Sequence, residues 1–197
     1  MDWNRKNKNP EERQGSVLTW RSELALLKIV NVEEVAVSDE DVRSVAEMML
    51  HPKVLRWDSE YRSLGSNIEE LSKGLGEFLR QTSKDESQFC LLAKMDGKTV
   101  GFLGIHRFGG SKPHVGDVGI IVHPDYQRRG IGTRLLRAGI ELASRKRFKR
   151  LEADTLGENK CMRKTAEKAG FQLEGIRRQA IEMRGELKDE ALYAIML

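Results

Sequence analysis

The chain reads as one α+β domain built on a single mixed, mostly antiparallel sheet flanked by about four helices. Three observations predict this. The segments run strand, two helices, three strands, helix, strand, helix, strands. Phe89, Leu91, Ala93 and Met95 alternate with period two up to Asp96-Gly97, a two-residue turn that sends the chain back through Val100 to His106 as a β-hairpin. From Gly119 to Leu136 an apolar strand, a proline-marked turn, a basic glycine loop and an amphipathic helix follow one another.

The domain is expected over residues 24–197, after a polar arm at residues 1–23 that lacks an apolar period and should be flexible. With 197 residues, 39% of them hydrophobic, the chain has enough material for one good core. Leu24 to Val37 contains the first strand. Ser38-Asp39-Glu40-Asp41 starts a helix with Val42, Val45, Ala46 and Met49 on one face, and His51-Pro52 stops it. Val54 to Gly65 reads as a loop carrying Leu55, Trp57 and Tyr61 among charges. Ser66-Asn67-Ile68-Glu69 looks like a capping box that opens a second helix, with Ile68, Leu71, Leu75 and Leu79 inward. After the hairpin, Val115 to Val122 is a strand. In the helix that follows, Ile131, Leu135, Ala138 and Leu142 fall at steps of four, three and four. Leu151 to Leu156 is a further strand, Asn159 to Ala169 a helix ended by Gly170, and the chain closes in a meander around Gly185.

Charge is unevenly distributed. Residues 1–100 carry 15 Lys and Arg against 18 Asp and Glu, whereas residues 101–197 carry 19 against 12, so the basic half is the half with the glycine loop. Nucleic acid is not the expected partner, because no helix-turn-helix, zinc-finger or RNA-recognition signature is present. The cluster from Arg145 to Arg150 reads as a solvated helix end. Cys90 and Cys161 lack metal-ligand spacing and read as reduced thiols of a cytoplasmic protein, with no metal expected. No segment looks able to enter a membrane. The oligomeric state is left open, a homodimer included.

The glycine loop is the most informative stretch. A strand that feeds such a loop into a helix leaves backbone N–H groups unpaired and aimed outward, with the positive end of the helix dipole behind them. Gly130 and Gly132 would let a diphosphate approach the backbone, and Arg128 and Arg129 add charge. The dinucleotide fingerprint needs Gly or Ala where this chain has Leu135, and a Walker loop needs Gly-Lys followed by Ser or Thr, which is absent. Gln127-Arg128-Arg129-Gly130-Ile131-Gly132 after a strand and His123-Pro124 resembles the acetyl-CoA pyrophosphate loop of the GNAT N-acetyltransferase superfamily.

The resemblance covers roughly Val32 to Leu197. Its second anchor is Asn159 followed by Glu167-Lys168-Ala169-Gly170-Phe171 and Glu174-Gly175. His51-Pro52-Lys53-Val54, Gly185 to Asp189 and Tyr193-Ala194 are similar to the branch of ribosomal-protein N-terminal and polyamine acetyltransferases. The resemblance implies acetyl-CoA as co-substrate and direct attack of a neutral amine on the thioester through a tetrahedral intermediate. It implies that Ile121 and Val122 meet the pantetheine and acetyl group, that Gln127, Arg128, Arg129, Gly130, Ile131, Gly132 and Thr133 hold the pyrophosphate, and that Asn159 contacts the cofactor further along. Two residues depart from the family pattern: Ala166 stands where many members have a tyrosine that protonates the CoA thiolate, and Met162 where ribosomal-protein enzymes have a serine.

Counting by two from Ile121 puts Gly119 and Asp117 on one strand face. Asp117 also stands where relatives carry a glutamate base, so it is the first candidate general base, a solvent-exposed strand-end carboxylate being the competing reading. His106 and His114 rank second. Trp57, Glu60 and Tyr61 are the candidates to line the acceptor mouth, with core packing as the other reading for the two aromatics. A lysine amine is neutral about once in 2,500 molecules at pH 7, a deficit of roughly 4.6 kcal/mol, against roughly 1 to 1.4 for an α-amine. With no positioned acid, the expected acceptor is a protein or peptide α-amine. The alternatives are a polyamine or other small amine, and a catalytically weak domain that senses acyl-CoA.

Overall fold

β4 (Gln88–Met95) is apolar on both faces, so it must be covered twice. Phe89, Leu91, Ala93 and Met95 enter one core cluster, while Cys90 and Leu92 enter a second on the opposite face. The computed structural model describes residues 12–14, 17–22, 25–57, 67–82 and 86–197. Before β4 come β1 (Glu12–Gln14), β2 (Val17–Ser22), β3 (Ala25–Asn31), α1 (Asp39–Leu50), the single turn α2 (Pro52–Leu55) and α3 (Ile68–Thr82). After it come β5 (Lys98–Arg107), β6 (Val115–Val122), a 3-10 turn (Pro124–Tyr126), α4 (Ile131–Arg145), β7 (Arg150–Leu156), α5 (Lys160–Ala169), β8 (Gln172–Met183) and β9 (Glu186–Met196).

The described strands form one nine-stranded sheet in the order β1-β2-β3-β4-β5-β6-β7-β9-β8. Every neighbouring pair is antiparallel except β6 and β7, which is the mixed, mostly antiparallel sheet that the sequence predicts. α4 lays Ile131, Leu135, Leu136, Ala138 and Leu142 on one face of it. α1 and α3 cover the other with Val42, Val45, Met49, Leu71, Leu75 and Leu79. Each such Leu withdrawn from water contributes roughly 1.5–3 kcal/mol.

A polar tie locks α1 to the sheet. Asp41 completes a capping box with Ser38: Asp41 Oδ2 accepts from the Ser38 backbone N–H at 3.1 Å, and Ser38 Oγ accepts from the Asp41 N–H at 3.2 Å. The same carboxylate accepts from Lys94 Nζ at 2.8 Å and from Thr99 Oγ1 at 2.6 Å. Burial alone would push its pKa up, but these donors together hold it below the ordinary aspartate value.

Several elements differ from expectation. The sheet begins ahead of residue 24: β1 and β2, inside the stretch read as an arm, pair with each other and with β3. Edge strands are held by backbone bonds and need no apolar period, and here Leu18 packs toward one core cluster and Val17 toward the other. The loop after His51 opens with a helical turn, because Pro52 cannot continue α1 but is preorganised to begin α2, and His51 Nδ1 accepts from Lys53 N–H at 3.1 Å. α3 is capped by Asn67, whose Oδ1 accepts from Glu70 N–H at 2.9 Å; the Ser66 of the expected capping box lies outside the described residues. The closing meander is one long hairpin whose β8 carries register shifts at Leu173/Gly175 and Arg177/Ile181.

Candidate active site

Register creates the cleft. β6 pairs with β5 from Gly116 to Val122, but with β7 only at Val115↔Arg150, Gly116↔Leu151 and Asp117↔Glu152. β7 meanwhile stays paired with β9 out to Leu156. Beyond Asp117 and Glu152 the two parallel strands therefore diverge, and backbone groups of residues 118–122 that face β7 have no strand partner. The wedge opens toward the C-terminal ends of both strands, where the glycine loop lies.

That loop has the backbone features that suit an anion. Arg128 and Gly130 have φ of +61° and +79°, values that turn successive N–H groups toward one concavity. Gly130 is the N-cap of α4 and contributes no side-chain cap, so the first-turn N–H groups keep their donors for a ligand. Gln127 Nε2 donates to the Val122 carbonyl at 3.0 Å and braces the loop against the strand end. Arg129 donates to the Asp125 carbonyl at 3.2 Å and lies over Tyr126. Gly132 has a packing reason as well: a Cβ there would sit 3.1 Å from Thr165 Cγ2 on α5. Ile131 is buried in the α4 core, and Thr133 is half-buried.

Asp117 sits at the vertex of the wedge. It shares a sheet face with Gly119 and Ile121; Ile121 packs into the α1/α3 cluster, while a Cβ on Gly119 would meet nothing within 4 Å. There is thus open space beside the carboxylate. Its cross-strand neighbours are His106 on β5 and Glu152 on β7. His106 Nδ1 is 3.8 Å from Asp117 Oδ2. Burial raises the Asp117 pKa; His106 and the Val118 N–H oppose this, and the Glu152 charge adds to it. Glu152 is itself held by Arg150 Nε at 2.8 Å, with Lys112 Nζ at 3.7 Å.

α5 borders the cleft with little that can donate a proton. Asn159 is buried and caps α5: Oδ1 accepts from Met162 N–H at 3.2 Å and Nδ2 donates to Thr155 Oγ1 at 3.1 Å, which leaves one amide hydrogen for any further contact. Ala166 is 1% exposed and Met162 packs against the core. Thr165 of α5 spends its hydroxyl on the Cys161 carbonyl at 2.9 Å, and the hydroxyl of Tyr193, buried on β9, donates to Glu167 Oε1 and accepts from Arg163 Nε, both at 3.0 Å.

The structure thus brings Ile121, Val122, the loop Gln127 to Thr133 and Asp117 together along β6 and its extension. Asn159 stands apart as a helix cap. Trp57 is half-buried at the end of α2 with Arg56 over its ring, while Glu60 and Tyr61 lie outside the described residues. His114 is exposed at the start of β6, away from the wedge. Glu152 was missed in the sequence because nothing local marks its pairing with Asp117. Cys90 is buried, its thiol pushed up to about 12, and Cys161 is exposed. Among the described residues no metal-ligating cluster occurs, and no helix is long and apolar enough to cross a membrane.

Comparison with known proteins agrees with this geometry. The chain is 24% identical over 131 residues to the probable N-acetyltransferase YjcK of Bacillus subtilis (strain 168), covering 66% of this chain and 72% of that protein. Among solved structures, RimJ of Mycobacterium smegmatis in complex with CoA-disulfide matches with a TM-score of 0.71 at 21% identity, over 91% of this chain and 86% of that one. Ribosomal-protein-alanine N-acetyltransferase from Brucella melitensis matches with a TM-score of 0.69 at 17% identity, over 86% and 99%. Residues 52–171, which span the wedge, the glycine loop and α5, match the Acetyltransferase (GNAT) family, to which this chain belongs as an acetyl-CoA-dependent N-acetyltransferase.

Proposed function

We propose that the protein acetylates the α-amine of a protein or peptide, with Asp117 as general base. The observation that carries this is the placing of Asp117 at the vertex where β6 and β7 part, beside the open space at Gly119. The anion-binding loop lies at the far end of the same strand. From Asp117 to Val122 the strand covers roughly 17 Å at its usual rise, a length comparable to an extended pantetheine arm. Acetyl-CoA supplies the activated acyl group. The chain holds its diphosphate on the N–H groups between Arg128 and Thr133, and Ile121 and Val122 line the arm's path, with Asn159 contributing its remaining amide hydrogen. Because the Val122 carbonyl is already bonded to Gln127, the arm meets the other backbone groups of the diverging edge.

Acceptor type follows from the proton inventory. A base whose pKa is raised by burial removes a proton better than an ordinary aspartate, yet it remains far below a lysine ammonium of about 10.4. Ala166 and Met162 give no help to the leaving thiolate. Such a site favours amines already partly neutral near pH 7, which are α-amines. The name of the Brucella structure, a ribosomal-protein-alanine N-acetyltransferase, points the same way. Two unbridged cysteines support a cytoplasmic setting.

The test is a peptide with a free N-terminus and an internal lysine. Fragment spectra should place most of the acetyl group on the N-terminus, and blocking that amine should lower the rate about tenfold or more, in line with the difference in neutral fraction. Acetyl mainly on lysine, or a polyamine turned over faster than every peptide, would overturn the acceptor while leaving the acetyltransferase in place.

A further inference from the structure

His106, Asp117 and Glu152 occupy adjacent strands in one register row, with Gln88 of β4 next to His106. The three side chains differ in access. Asp117 is 31% exposed at the vertex of the wedge, whereas His106 is 57% exposed on the outer side of the row. On the other side Glu152 is occupied by Arg150 and Lys112, and Arg150 is in turn paired with Glu174 on β8. A proton taken up by Asp117 therefore meets on the β7 side a carboxylate already satisfied by cations, and on the β5 side an imidazole open to solvent.

We propose that His106 is the positioning residue through which Asp117 returns its proton to solvent after each acetylation. The step balances simply. The ammonium of the acceptor gives one proton to the Asp117 carboxylate, and the neutral amine attacks the thioester carbon; as the C–S bond breaks, a second amine proton ends on the CoA thiolate, giving the amide and the thiol. The resulting carboxylic acid passes that proton to His106 Nδ1, and the imidazolium releases a proton from Nε2 to water; exchange with solvent then moves the remaining ring proton from Nδ1 back to Nε2, which restores both groups. At 3.8 Å the two atoms are beyond a direct hydrogen bond, so a bridging water or a small rotation of the exposed ring completes the path. Histidine suits this role because one ring nitrogen can take up a proton while the other gives one away. The charged groups that face the pair, Glu152 with Arg150 and Lys112 from β7 and the β5–β6 loop, stay unchanged through the cycle. This inference rests on Asp117 being the base, and the experiment separates the two.

The measurement is the pH–rate profile of His106→Gln, Asp117→Asn and the double variant with a peptide acceptor, together with acetyl-CoA affinity. His106→Gln should lower the plateau kcat about tenfold, move the acidic limb to higher pH because a charge that favours the Asp117 carboxylate is gone, and leave acetyl-CoA affinity unchanged. Added imidazole should restore part of the lost plateau. The double variant should be no slower than Asp117→Asn alone, as for residues that act as a unit. A shifted limb with an unchanged plateau would make His106 a mere electrostatic neighbour and overturn the relay, as would a profile coincident with that of the unsubstituted protein. If Asp117→Asn retains full activity while His106→Gln loses it, the base assignment fails and the relay with it; if Asp117→Asn alone is impaired, only the relay fails.

Discussion

Two aspartates on the same face of this sheet meet opposite fates. Asp41, at the start of α1, is almost fully buried, and Asp117, in mid-sheet, is about one-third exposed. Desolvation pushes both pKa values up, and by solvent exposure alone Asp41 would be the more perturbed base. It is not, because Lys94, Thr99 and Ser38 donate to it from three directions and bring its pKa below the ordinary value. Asp117 has only a histidine at 3.8 Å and one backbone N–H on the favourable side, with Glu152 on the other, and its pKa ends up raised. Exposure alone therefore does not set the direction of the shift; the donors around the carboxylate do. Both oxygens of Asp41 accept from neighbouring donors, whereas Asp117 faces the empty space at Gly119.

The comparison can be broken most directly at Asp117. Asp117→Asn should lower turnover by about 10² or more and remove the acidic limb of the pH–rate profile, while thermal unfolding shows a protein at least as stable at pH 7. The sign follows from linkage: a carboxylate whose folded pKa is raised carries a penalty in the fold above that pKa, and Asn does not. Turnover within a factor of about two of the original across pH 6 to 9 would make Asp117 as structural as Asp41.

Asp41→Ala should do the reverse. It strands Lys94 and Thr99 and should cost about 2–3 kcal/mol in denaturant unfolding, with turnover per folded molecule nearly kept. The folded pKa of Asp41 is lowered, so its stabilisation is present above the unfolded aspartate value near 3.9 and is lost as pH falls through the lower folded value. The variant should accordingly lose less stability than the original as pH falls below about 4. The smallest effect is expected from Thr99→Val, which removes one of the four donors and should cost about 1.5 kcal/mol, with an unaltered pH–rate profile. An altered profile would mean that α1 and the wedge are coupled.

Much of the site was legible along the chain because its chemistry is local. The anion loop needs a strand end, two glycines and an uncapped helix start within a dozen residues, and each has a residue-level mark from Val122 to Thr133. The hairpin at Asp96-Gly97, the caps at Ser38 and Asn159 and the apolar stripe of α4 are encoded in the same short range. The edge strands were hidden, since backbone pairing to a neighbour leaves little mark on composition. The closeness of Gly132 to Thr165 was equally invisible, because it arises where two helices meet.

By itself, then, the sequence determined the order of elements, the glycine loop between β6 and α4 and the absence of a hydroxyl at Ala166 and Met162. Only the tertiary structure decided which aspartate is tied down and which is open. The partners of Asp41 lie 53 and 58 residues away, and those of Asp117 stand on separate strands whose register sets who faces whom. A one-residue slip of β6 would turn Asp117 to the α4 side and away from His106 and Glu152, leaving every local pattern in the sequence unchanged.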